Sequence, residues 1–301
     1  MTRTSVGIVG QGWVGGILTR YFEEIAGHTR GENLHAYDLD SRRSFGDLSE
    51  AAVVFICVPT PRDPETGACV IQQVEEAVDH LDGSRIVVIK STVPPGTTEN
   101  LQRKYPRHQL LFNPEFLTES RAWEDMVRPD RQIVGFTERS LESAHQVLSL
   151  LPKAPFMSPG GIGTYQPVRL TATEAELVKY AGNVFFFLKV VYANGLFDAA
   201  SALKVSYENV RGGMSADYRI GGSHLDAHQG GYRGAAGYCL LKDTAAFMNI
   251  VSDLHCPEVR DFIRGAWEYN RRLLLGQGYK LSDVEKHVNE IHLCRDSAPS
   301  S

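Results

Sequence analysis

Cys239 stands in Cys239-Leu240-Leu241-Lys242-Asp243, a thiol followed closely by a cation and a carboxylate. Upstream, Lys179-x-x-x-Asn183 sets an ammonium and an amide one helical turn apart. Near the start, Gly10-Gln11-Gly12-Trp13-Val14-Gly15 follows the apolar run Val6-Gly7-Ile8-Val9. Between a strand and a helix, that spacing suits a dinucleotide. The first glycine permits the tight turn, the second lets backbone approach a pyrophosphate, and the third lets helix and strand pack closely. A nicotinamide site alone moves one hydride. Joined to a cysteine nucleophile, it can carry an alcohol through the aldehyde to the acid, because the thiol traps the aldehyde as an oxidisable hemithioacetal.

Other residues extend this chemistry. Asp38 ends the second strand pattern, where its carboxylate would accept from ribose hydroxyls and repel a 2′-phosphate, favouring NAD over NADP. Arg42 and Arg43 follow it closely and pull the other way. Three strand ends carry proline, hydroxyl and carboxylate residues: Val58-Pro59-Thr60-Pro61, Lys90-Ser91-Thr92-Val93-Pro94-Pro95-Gly96 and Asn113-Pro114-Glu115-Phe116-Leu117-Thr118-Glu119. Ligands of open parallel sheets gather beyond such ends. Glu176, Lys179 and Asn183 share one helical face, and the Lys179 ammonium could offset alkoxide charge. Cys239 precedes a helix expected from Lys242, so its thiol should ionise more readily than usual. Gly230, Gly231, Gly234 and Gly237 suit a loop wrapped closely around a ligand.

Each signal has a plainer reading. The glycine turn can serve packing, prolines punctuate loops, Lys179 can reach solvent, and Cys239 can be a small hydrophobe beside Tyr238 and Leu240. His224, Asp226 and His228 raise a metal site, but no further spaced ligand is evident, so none is expected.

The elements that must hold these residues alternate along the first half. Strands are predicted at Ser5–Val9, Leu34–Tyr37, Val53–Val58, Arg85–Ile89, Gln109–Phe112 and Gln132–Gly135, with helices such as Trp13–Ala26, Ile71–Leu81 and Leu141–Leu151 between them. Such alternation makes an α/β fold with a Rossmann-like, doubly wound parallel sheet. Pro152, Pro155, Pro159 and Pro167, with Gly160, Gly161 and Gly163, mark a linker. Beyond it an all-helical domain is expected: a long central helix over Thr171–Lys204, a Gly-rich loop over Gly212–Gly237, then helices at Lys242–Asp253, Val259–Leu275 and Ser282–Ile291. The domains are 1–165 and 166–301, two cores being the default for 301 residues.

A net charge of -5 and pI near 6.1 argue against nucleic acid or an anionic membrane as partner. The Arg103–His108 run reads as a solvated helix end. No apolar stretch is expected to span a bilayer, no export signal is visible, and five cysteines without framework spacing suit a cytoplasmic protein.

Taken in order, Gly10–Gly15, Val58–Pro61, Ser91–Thr98, Asn113–Glu119, Glu174–Asn183, Asp217–Gly221 and Cys239–Asp243 resemble the UDP-glucose/GDP-mannose dehydrogenase family. The resemblance implies oxidation of a nucleotide-sugar alcohol to a uronic acid with two NAD. It implies that Cys239 is the nucleophile and that Lys179 stabilises alkoxide and oxyanion. Asn183, Thr92 and Asp243 would position water, and Glu115 would be the acid/base of thioester hydrolysis. Cofactor contacts would come from Gly10, Gly12, Trp13, Val14, Gly15, Asp38, Val58, Pro59, Thr60, Ser91, Thr92, Glu119 and Lys242. Substrate contacts would come from Glu115, Phe116, Leu117, Glu119, Lys179, Asn183, Arg219, Tyr232 and Gly234.

Arg219 matches an arginine that reaches the partner subunit's substrate in the family, so a homodimer on the long helix is implied. Asn270 also falls in a family position. The family's C-terminal nucleotide-binding domain is expected to be lacking, so a nucleotide sugar or a smaller relative is the expected small-molecule substrate. The usual Gly-Gly-Ser-Cys-Phe-Pro-Lys-Asp reads Ala236-Gly237-Tyr238-Cys239-Leu240-Leu241-Lys242-Asp243. A two-electron hydroxyacid dehydrogenase and a non-catalytic NAD-binding subunit remain the alternatives.

Overall fold

The runs Val6–Val9 and Val53–Ile56 have every residue buried, as strands covered on both faces require. In the computed structural model, which describes residues 3–160, 168–229 and 231–285, they form the middle of a sheet. The chain divides into two compact units: Met1–Pro61 with Cys69–Lys179, and Arg62–Ala68 with Tyr180–Ser301. The sequence boundary at 165/166 lies outside the described residues, as do Gly230 and Cys294.

The first unit runs β1 (Val6–Val9), α1 (Trp13–Glu24), β2 (Leu34–Tyr37), β3 (Val53–Ile56), α2 (Gln72–Asp79), β4 (Ile86–Ile89), α3 (Thr97–Lys104) and β5 (Gln109–Phe112). It continues through α4 (Ala122–Val127), β6 (Arg131–Ile133), β7 (Gly135–Phe136), α5 (Leu141–Leu150) and β8 (Phe156–Ser158). The main sheet has the order β2-β1-β3-β4-β5-β7. Its first five strands are parallel, with Val6 level with Leu34 and Val53. Separate apolar cores cover the two faces, one around Ile56, Val74 and Leu101, the other around Ile8, Phe22 and Val147.

The expected sixth parallel strand is corrected. Gln132–Gly135 splits: β6 pairs with β8 in a two-stranded sheet, while β7 closes the main sheet antiparallel to β5. Gly135 explains the jog. A Cβ there would lie 2.8 Å from the Thr171 carbonyl oxygen, so backbone passes hard against the start of the long helix.

That helix, α6 (Ala172–Ala202), begins in the first unit and continues into the second. After it come α7 (Tyr207–Ser215), β9 (His228–Gln229), β10 (Tyr232–Arg233), α8 (Tyr238–Asp253), α9 (Pro257–Leu275) and α10 (Leu281–Val284). The Gly-rich stretch therefore holds the end of α7 and a short hairpin, and α8 starts four residues earlier than expected. The predicted helix Ser282–Ile291 is described only to Glu285. Phe187, Val190, Leu241 and Leu274 pack as the second unit's main core. Arg62 forks onto Glu285 at 2.7 and 2.5 Å, and Asn249 donates to the Thr66 carbonyl at 2.7 Å, which fixes the 62–68 segment in this unit.

One exclusion from sequence needs correction. An 18-residue window of α6 has mean hydropathy 1.3, long and apolar enough to cross a membrane by length and composition. A helix apolar all round and buried in protein meets the same criterion.

Candidate active site

The three glycines of the first turn meet three different demands. Gly10 has φ +90°, and a Cβ on it would lie 2.7 Å from the Cys57 carbonyl oxygen. A Cβ on Gly15 would lie 1.9 Å from the Gly10 carbonyl oxygen, which forbids any other residue. At Gly12 a Cβ would meet nothing within 4 Å. The turn thus leaves open space beside the second glycine, at the start of α1, where no side chain caps the helix. Trp13 is exposed and Val14 half-buried there.

Asp38 follows β2 and accepts the Gln11 N–H at 2.6 Å on one oxygen and the Asp40 N–H at 2.9 Å on the other. It braces the turn. Arg42 is forked onto Asp40 at 2.8 Å through both nitrogens, and Arg43 stands 3.6 Å from the same carboxylate. This partner answers their expected pull toward a 2′-phosphate. A pyrophosphate fits the open turn.

Side chains link the three carboxyl-edge loops in series. Ser91 donates to the Val58 carbonyl at 2.6 Å. Buried Lys90 donates to Asn113 Oδ1 at 2.7 Å, and Asn113 donates to the Ile133 carbonyl at 2.6 Å and to Gln132 Oε1 at 3.0 Å. Lys179 then donates to the Glu115 carbonyl at 2.6 Å and meets its carboxylate at 3.3 Å. Glu115 also accepts from the Leu117 N–H. Arg131 lies over the Phe116 ring at 3.8 Å, with the Lys179 ammonium 5.8 Å from the same ring.

The Ser91 hydroxyl proton is spent bracing one loop against another. Thr60 is buried, Pro59 and Glu119 are exposed, and Thr92 is half-buried. Burial pushes the Cys57 thiol up to about 12 and pulls the Lys90 ammonium down.

Glu176 shares a helix with Lys179 but serves another purpose. Its carboxylate accepts the Gly96 N–H at 2.6 Å, the Thr98 N–H at 2.8 Å and the Thr98 hydroxyl at 2.6 Å, capping α3. Burial raises its carboxyl to about 7 against the pull of these donors.

The second unit holds the other constellation. Asn183 Nδ2 donates to Asp243 Oδ2 at 2.5 Å, and Lys242 Nζ reaches Asp243 Oδ1 at 2.5 Å, all three residues buried. Each carboxylate oxygen therefore has its own donor. Cys239 is exposed in the first turn of α8, which holds no acidic residue. The helix terminus favours its thiolate. The Lys242 ammonium is buried and bonded to Asp243.

Two residues expected to contact substrate also serve the packing of this unit. Tyr232 is buried in the unit's core, 5.7 Å from the Tyr279 ring. Gly234 has φ +108°, and a Cβ on it would lie 2.8 Å from Asn270 Oδ1, so it serves close approach to α9. Arg219 is exposed and paired with Asp217 at 2.5 Å. His224 stacks on Phe186 at 4.4 Å and His228 meets Phe197 edge-on at 5.0 Å. Among the described residues no group of three or more His, Cys, Asp or Glu is placed to hold a metal. Sequence reasoning gave no role to Lys90, Asn113 or Gln277; an isolated lysine at a strand end was the one available signal.

Comparison with known proteins covers both units. UDP-glucose 6-dehydrogenase of Rickettsia felis is 32% identical over 217 residues, covering 69% of this chain and 46% of that protein. The Pseudomonas aeruginosa UDP-glucose 6-dehydrogenase is 36% identical, covering 67% of this chain and 45% of that protein. The chain spans about half the length of the curated relatives it matches. A UDP-glucose dehydrogenase from Pyrobaculum islandicum matches in structure with a TM-score of 0.73 and 27% identity, over 89% of this chain and 68% of that one. Residues 30–150 match the NAD binding domain of the UDP-glucose/GDP-mannose dehydrogenase family, and residues 173–272 match its central domain. By these two domains the chain belongs to the UDP-glucose/GDP-mannose dehydrogenase family.

Proposed function

We propose that this chain oxidises a primary alcohol of a nucleotide sugar, UDP-glucose-like, or of a smaller relative, to the carboxylate in two hydride transfers. The observation that carries this reading is the exposed Cys239 thiol in the first turn of α8, in a chain that also has the family's NAD binding domain. The turn Gly10–Gly15 and Asp38 would hold NAD, which when bound supplies the hydride acceptor.

Lys179, fixed by Glu115, stabilises the alkoxide formed as the alcohol loses its proton. The Cys239 thiolate adds to the aldehyde to give a hemithioacetal, and loss of a second hydride leaves a thioester. Water, oriented by Asn183 and Asp243 with Glu115 taking its proton, releases the acid and regenerates the thiol. Each turnover yields two NADH.

We also propose that α6 docks a second copy rather than lipid. Phe185 and Tyr192, two turns apart on one face of it, are 60% and 59% exposed, apolar surface of the sort subunits bury. Sedimentation of the purified chain, with and without Tyr192→Glu, tests the dimer.

The chemistry is tested by stoichiometry. Two NADH and one acid per alcohol are expected, and Cys239→Ser should lower acid formation by at least about a thousandfold while NAD still binds. One NADH with a carbonyl product, or unchanged acid output from the variant, overturns the covalent route.

A further inference from the structure

The segment leading into Cys239 is held by an unusual means. Gln277 accepts the Arg233 N–H at 2.7 Å and donates to the Arg233 carbonyl at 2.8 Å. Asn270, on α9, accepts the Ala235 N–H at 2.7 Å and donates to the Ala235 carbonyl at 2.9 Å. The Gly237 N–H donates to the Val284 carbonyl at 2.9 Å. Residues 233, 235 and 237 are thus pinned in alternation. A primary amide presents an N–H donor beside a carbonyl acceptor, the same pair that a neighbouring strand presents to an extended backbone, and its second N–H stays available for another carbonyl.

Two further contacts make this a built device. Gln277 also donates to the Leu273 carbonyl at 2.9 Å, which locks its amide to the end of α9. Gly234 sits between the two clamped residues, where a Cβ would strike Asn270 Oδ1. The Arg233 side chain is tied separately to α6 through Asn194 at 3.0 Å and Asp198 at 2.7 Å.

We propose that Asn270 and Gln277 form a two-amide clamp on residues 233–235 that positions the Cys239 thiol at the start of α8. They are positioning residues, and the proposal rests on reading Cys239 as the nucleophile. The backbone from Gly234 to Gly237 feeds directly into the first turn of α8, whose N–H groups favour the thiolate. Releasing residue 233 loosens that turn. The titratable groups near it, Tyr238, Lys242, Asp243 and Glu285, with Arg62 paired to Glu285, stay as they are.

The test is Cys239 alkylation by iodoacetamide across pH 6 to 10, followed by peptide mass mapping, in the full chain and in Gln277→Met. Gln277 is exposed, so the variant should fold; Gln277→Glu keeps the acceptor and loses the donor as a second probe. The alkylation midpoint should move up toward the ordinary thiol value of about 8.5 in Gln277→Met and part of the way in Gln277→Glu. Acid formation should fall roughly tenfold to a hundredfold in kcat with little change in KM. An unmoved midpoint in both variants overturns the clamp. A moved midpoint in a chain whose unaltered form makes no acid keeps the clamp and removes the proposed oxidation.

Discussion

Two helices of the first unit follow within three residues of a positive-φ glycine, and they treat their N-termini in opposite ways. At α3, Gly96 has φ +93°, and the protein's own Glu176 carboxylate takes up the Gly96 and Thr98 N–H groups. At α1, Gly10 has φ +90°, no side chain caps the helix, and the space beside Gly12 is open. Both termini carry the same partial positive charge. One is filled from within and stabilises the fold. The other is left for an anion from outside, which is why the glycine spacing alone says less than what stands opposite it.

The contrast can be broken at either end. The largest effect is expected for Gly15→Ala, whose Cβ would lie 1.9 Å from backbone oxygen. It should cost about 3 kcal/mol and abolish NAD binding, as read by urea unfolding and a dinucleotide titration.

Next comes Glu176→Ala, which strips the α3 terminus and should cost about 2 kcal/mol. The sign of its pH dependence follows from a folded value of about 7 against an ordinary 4.5. The folded state holds the proton more tightly, so this contribution is present below pH 4.5 and is lost as pH rises through 7. Subtracting Glu176→Gln unfolding curves from those of the unaltered chain between pH 4 and 8 isolates it, and a difference that grows with pH would contradict the sign.

The smallest stability change belongs to Gly12→Ala, within about 0.5 kcal/mol, since its Cβ meets nothing. NAD affinity should nonetheless drop about tenfold. Unchanged affinity would mean that the pyrophosphate does not lie against α1.

The first turn was legible in sequence because its demands are local: each glycine answers to the strand, turn and helix around it. The Glu176 face was legible as a face, but its partners at Gly96 and Thr98 lie 80 and 78 residues away, and periodicity does not say what lies opposite. The packing partner of Gly234 was hidden for the same reason, since it is Asn270 on a later helix. The start of α8 was misplaced because Gly237, with φ +86°, caps it without a serine, threonine or aspartate to mark the site. The split of Gln132–Gly135 was hidden because a short apolar run looks alike whether it pairs with one sheet or two.

The Arg62–Ala68 detour has a consequence for modularity. The polypeptide changes allegiance after Pro61, after Ala68 and again after Lys179, so the halves are interlaced rather than strung end to end. A single cut at the last crossing leaves a donor fragment carrying a severed loop, with Arg62 bereft of Glu285 and Thr66 of Asn249. The smallest exchangeable module is a double graft, the distal half together with its seven-residue staple.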